Sequence, residues 1–205
     1  MNFNQLRPAR QPGKLAEVES RTKIYATWIS VAALVIGGMF TLWEYYDAKK
    51  RARVEETLRY VRSYNADEMF KANRVIDLAL VKIKEDLVQN IKTGTNEEFA
   101  DLILALVNTS AGSKAPDALE PNIWMVTDFY ETLYICIDGN LCDRAASYSF
   151  FGERARDFFY MFLPYLKVFR SYDRTFAETL AKFVCDYQSF RGEPQEHRGA
   201  CRVFS

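Results

Sequence analysis

Residues 24–43, IYATWISVAALVIGGMFTLW, make a run of twenty without a formal charge. At 1.5 Å per residue, a helix of that length measures about 30 Å, the thickness of a bilayer's hydrocarbon layer. A buried helix of a soluble protein seldom runs so far without a polar face, and a cleaved signal peptide has a shorter apolar stretch before a small-residue cleavage site. Here the run passes straight into Glu44, Tyr45, Tyr46 and Asp47. Tyr25 and Trp28 stand at one end and Trp43, Tyr45 and Tyr46 at the other, as rings that settle at both headgroup levels do. The sequence is therefore expected to divide into a flexible basic tail over 1–23, a transmembrane helix over 24–46, a helical soluble domain over 47–190 and a C-terminal tail over 191–205.

Within the span, Ala26, Ser30, Ala33, Gly37 and Thr41 recur every three or four residues, so small side chains fall along one stripe of the helix. Such a stripe lets another helix approach closely, which suits a homo-oligomer or a membrane-protein partner; small residues are also common in membrane helices for other reasons. Orientation rests on basic residues. Arg7, Arg10, Lys14, Arg21 and Lys23 precede the span, and Lys49, Lys50, Arg51, Arg53, Arg59 and Arg62 follow it, an almost even balance. The tighter cluster, Lys49, Lys50, Arg51 and Arg53, lies on the C-terminal side, where it can rest on anionic lipid. That cluster favours a cytoplasmic C-terminal domain.

Beyond the span the apolar pattern is helical throughout, with no alternating run or Asn-Gly turn to suggest strands. Val54, Leu58 and Val61 carry a helical face onward from the span. Asn65 and Glu68 have capping-box spacing and open a helix bearing Met69, Phe70, Ala72, Val75, Ile76, Ala79, Leu80, Ile83, Leu87 and Ile91, which Gly94 stops. Thr95 and Glu98 cap the next, with Phe99, Leu102, Ile103, Leu106 and Val107. A loop over 109–120 leads to a helix with Pro121 in its first turn and Trp124, Phe129, Leu133 and Ile137 facing inward. Gly139-Asn140 ends it, and Asp143 caps a short helix to Phe150. A further aromatic helix follows Gly152, with Pro164 expected to kink or restart it. Thr175 and Glu178 cap a last helix with Phe176, Leu180, Phe183, Val184 and Tyr187. The fold expected is all-α: one transmembrane helix continuing into a bundle of about five to seven helices.

Composition narrows function. Lys plus Arg number 27 and Asp plus Glu 27, so the broad positive field of a nucleic-acid binder is missing. A single His and no phosphate-loop, dinucleotide, nucleophile-elbow or H-E-x-x-H motif leave no enzyme signature, and neither a cofactor nor a small-molecule substrate is evident. Asp128 and Glu131 share a helix face, a spacing common on solvated helices; Glu131 is expected to pair with an arginine such as Arg144 or Arg154. The cysteines are Cys136, Cys142, Cys185 and Cys201. Outside the cytoplasm they permit one or two disulfides in three full pairings, and in the cytosol they stay reduced. Cys136 and Cys142 bridge a helix end and the next helix start, close enough for a bond or for simple packing. Cys185, His197 and Cys201 lack the knuckle spacing of a zinc site, so no metal is expected.

The block over 126–170 resembles the central part of a bacterial family of single-span membrane proteins with a helical domain of unassigned function. The likeness rests on Phe129-Tyr130-Glu131, on Gly139-Asn140-Leu141-Cys142-Asp143, on Phe151-Gly152, and on Pro164-Tyr165-Leu166 before Arg170. KKRARVEETLRYVRSYN, at 49–65, is similar to that family's juxtamembrane part, whereas the 23-residue basic tail departs from its short N-terminus. The resemblance covers about residues 24–170 and implies a bacterial inner-membrane location with the helical domain facing the cytoplasm. It brings no catalytic residues. The function expected is a membrane-anchored, noncatalytic interaction or scaffold module with the lipid bilayer as partner. The alternative is a membrane-tethered, thiol-dependent redox sensor or enzyme using Cys136 and Cys142.

Overall fold

The computed structural model describes the backbone of residues 13–90, 96–111 and 118–194, and the side chains of 25–81, 98–108 and 118–194. Six α-helices and no strand occur among them: α1 (Gly13–Tyr64), α2 (Asp67–Asn90), α3 (Asn96–Ala111), α4 (Leu119–Asp138), α5 (Arg144–Arg170) and α6 (Glu178–Phe190). The expected all-α fold, a long apolar N-terminal helix leading into a bundle, is what forms. Two compact units divide the chain, one ending at Lys49 and the other beginning at Lys50.

The first unit is the N-terminal part of α1, which runs without interruption and without a proline after Gly13. It begins well ahead of Ile24, so residues 13–23, expected as flexible tail, are already its first turns; residues 1–12 lie outside the described residues. Every side chain from Tyr25 to Tyr46 is exposed. Its apolar window has a mean hydropathy of 1.7 with none of it buried in the protein, so the helix is long and apolar enough to cross a membrane. Burial against the protein's own core, which would have explained such a sequence in a soluble molecule, is absent here.

In the second unit α4 is the centre, touching α2, α3, α5 and α6, while α5 also packs on α3 and α6. Phe129, Leu133 and Ile137 are buried on α4 as expected, together with Ile123, Val126 and Tyr130. Trp124 departs: it is half-exposed and lies edge-on to Phe169. On α2, Met69, Ala72 and Ile76 are buried, but Phe70 is exposed. Tyr60 and Tyr64, late in α1, set their rings against Phe129, and Tyr64 also meets Phe151. Such tilted and edge-to-face pairs add about 0.5–1.5 kcal/mol each beyond area burial.

Three helix boundaries differ from the sequence expectation. Asn65 does not open α2; its Nδ2 donates back to the Val61 carbonyl at 2.9 Å and closes α1 instead, leaving Asp67 and Glu68 in the first turn of α2 to meet its dipole. Gly152 and Pro164 do not divide the aromatic segment, because α5 runs through both. At Gly152 any Cβ would overlap the Tyr187 ring, so glycine is there to let α6 lie close. The left-handed turn residue after α4 is Asn140, at φ 59°, rather than Gly139, at φ −69°. Pro121 does sit in the first turn of α4. The expected stop at Gly94, the Thr95 cap and the C-terminal tail beyond residue 194 lie outside the described residues, as do residues 112–117 of the expected loop.

Candidate functional site: the disulfide-closed corner between α4 and α5

The sequence places Cys136 in the last turn of α4 and Cys142 just before α5, and the two are joined, with Cα atoms 5.2 Å apart. Between them the chain reverses on its own hydrogen bonds. Gly139 donates its N–H to the Ile135 carbonyl, while Leu141 and Cys142 both donate to the carbonyl of Cys136 at 2.9 and 3.0 Å. Asn140 supplies the positive φ this reversal needs, a conformation asparagine tolerates. Asp143 then caps α5, its Oδ1 accepting the Ala146 N–H at 2.8 Å, as its position predicts.

The corner is fastened to α1. The Asp143 N–H donates to Thr57 Oγ1 at 3.0 Å and to the Arg53 carbonyl at 3.3 Å. Thr57 Oγ1 itself donates to Arg53 O and lies 3.5 Å from Ser147 Oγ. Thr57 and Ser147 are fully buried, so this polar seam is satisfied inside the core rather than by solvent. Nothing in the sequence pattern marks Thr57 or Ser147, since each finds its partner across 90 residues.

Arg53 differs from the rest of its basic cluster. Lys49, Lys50 and Arg51 are exposed. Arg53 is half-buried beside the corner, lines a cleft of about 560 Å³ with Cys142, Asp143 and Arg144, and holds its Nε out of solvent without a hydrogen-bond partner. Arg53 thus packs into the corner of the bundle, unlike its exposed neighbours Lys49, Lys50 and Arg51. The small residues Ala26, Ser30, Ala33, Gly37 and Thr41 are all exposed. Ser30 and Thr41 donate their hydroxyls back to Ala26 O and Gly37 O, which hides those polar groups within the helix, and the space around Gly37 and Gly38 is open.

Glu131 does not meet Arg144 or Arg154. It lies instead near the start of α6, where burial raises its pKa above the ordinary value and the backbone of Thr179 and Leu180 only partly offsets this; its Oε1 is buried without a hydrogen-bond partner. The N-cap position of α6 is Ala177 in a left-handed conformation with no side-chain cap of its own, and Thr175 is occupied by Asp173. The cap expected from Thr175 and Glu178 therefore does not form. Elsewhere, Trp124 Nε1 donates to the Tyr165 hydroxyl at 2.7 Å, which donates to Glu120 at 2.9 Å. Tyr134 donates to Asp186, and burial, reinforced by that carboxylate, pushes its pKa up to about 12. Cys185 is disulfide-bonded as well; His197 and Cys201 lie outside the described residues.

No protein-family model matches the chain, and no curated protein or solved structure is detectably similar to it.

Proposed function

We propose that this chain is a membrane-anchored, noncatalytic helical interaction module, held by α1 in a bacterial inner membrane, with its bundle on the oxidising side of that membrane. The anchoring half of the reading is supported by the fully exposed apolar surface of α1 from Tyr25 to Tyr46, for which lipid is the fitting solvent. The orientation is supported by the bonded sulfurs, and that is the observation that carries it. Cys136, Cys142 and Cys185 all stand in disulfides. Such bonds persist in oxidising compartments and are rare where glutathione and thioredoxin keep thiols reduced. This orientation departs from the cytoplasmic one that the basic cluster favours; with five cations facing six across the span, charge exerts little pull either way.

The noncatalytic part is supported by how the domain spends its polar side chains. Asp143 caps a helix, and Glu120, Tyr165 and Trp124 satisfy one another. A thiol-exchange role is opposed by burial, because Cys136 is 6% and Cys142 2% exposed, and exchange needs an attacking thiolate to reach a sulfur. Association with a second copy or another membrane helix along Ala26, Ser30, Ala33, Gly37 and Thr41 fits the open space beside Gly37.

Reporters fused after Ser205 test the orientation. Alkaline phosphatase, which folds only after export, is expected to be active, and green fluorescent protein exported through the same pathway dark. Fluorescence with an inactive phosphatase overturns the proposed side.

A further inference from the structure

Between α2 and α5 lies a cleft of about 440 Å³, within the range of small-molecule sites. It goes beyond the anchoring role, because its chemistry is that of a binding site for a free ligand. Ile76, Val126, Tyr130 and Phe162, all buried, form its apolar depth, with Phe70 and Phe158 beside them. Its aromatic wall is held in place by ring contact and hydrogen bonds: the Tyr130 ring lies tilted against that of Tyr64 with centroids 6.3 Å apart, the Tyr64 hydroxyl donates to Asn73 Oδ1 at 3.1 Å, and Asn73 Nδ2 donates to the Met69 carbonyl at 2.9 Å.

Three charged residues line the cleft. Asp157 is taken by Arg156 at 3.2 Å. Asp77 on α2 and Arg154 on α5 are exposed and make no ion pair among the described residues; the Arg154 guanidinium lies 5.5 Å from the centre of the Tyr64 ring. One unpaired carboxylate and one unpaired guanidinium thus border the same apolar cavity from different helices. A fatty acid or a simple amine answers only one of them. We propose that the cleft binds a free apolar α-amino acid, its carboxylate on Arg154, its ammonium on Asp77 and its side chain against Phe70, Leu80 and Phe158, lining residues that are at least partly open to solvent. The guanidinium fork suits a carboxylate, and Tyr64 beneath it limits the orientations it can take.

The test is calorimetric titration of the full chain in detergent with L-phenylalanine and L-leucine, alongside glycine, N-acetyl-phenylalanine and phenylalanine amide. Phenylalanine and leucine are expected to bind. Glycine lacks the apolar body, and each blocked derivative lacks one charge, so all three should bind at least about tenfold more weakly, the loss of one charge-assisted contact. Arg154→Gln is expected to abolish the difference between phenylalanine and its amide, and Asp77→Asn that between phenylalanine and its N-acetyl form. Both positions are exposed, so the variants should melt with wild-type profiles; if either does not, the ligand series on the unaltered protein decides. Absence of phenylalanine and leucine binding overturns the proposal, as does equal binding of the blocked derivatives.

Discussion

At the scale of single residues, two positions carry more of the fold than their letters suggest. Gly152 faces the Tyr187 ring with no room for a methyl group, so Gly152→Ala should destabilise the bundle by about 1–3 kcal/mol in urea unfolding. Combining it with Tyr187→Ala should cost less than the two single changes added together, because the second removes the obstacle to the first. Glu131 gives a pH signature. A carboxyl whose pKa is raised on folding binds its proton more tightly folded than unfolded, so its contribution to stability falls as pH rises from the ordinary carboxyl range through the folded value. Glu131→Gln, neutral throughout, should therefore match the wild type below the ordinary carboxyl pKa of about 4 and gain on it as pH rises above that. A pH-independent gap between Gln and wild type in urea melts contradicts this account. Asp143 was legible in the sequence because its cap needs only the chain three residues on. Glu131 was not, since its partners are 48 and 49 positions away.

At the scale of elements, existence was easier to read than limits. The apolar periodicity marked all six helices, but glycine and proline misled where packing outweighs propensity. Gly152 reads as a break and Pro164 as a kink or restart, yet α5 continues through both, held against α3, α4 and α6. Asn65 has the spacing of an opening cap and instead closes the helix before it. The Cys136–Cys142 link closes a short loop at the α4–α5 corner. By chain entropy, replacing both cysteines with serine should lower stability by about 2 kcal/mol, read as a lower urea midpoint with an unchanged slope. A reductant that leaves the melting curve unaltered would show that the corner's hydrogen bonds to Thr57 and Arg53 suffice without it.

For the whole molecule, composition was a fair guide. The aromatic excess is spent mainly on a core where rings from α1, α4, α5 and α6 meet, around Tyr130, Phe151 and Phe183. The uncharged stretch of α1 is exposed along its described side chains, from Tyr25 onward. Membranes washed with alkaline carbonate should therefore keep the chain in the pellet. Arginines at Leu34 and Val35, each adding about 2.5–3.5 kcal/mol to the cost of insertion, should move it to the supernatant. What sequence could not disclose was the fastening between helices: which side chain caps which helix, and which turn ties to which, depend on partners that meet only after the chain has collapsed. The uncapped start of α6 has a corollary for assembly. At thirteen residues the segment is about as short as any that can hold a helix alone in water, and it has no starter of its own. Cut out as a peptide it should be coil, so helicity there is a readout of α4 having arrived, and a fluorophore on its outer face would report the core closing as one event.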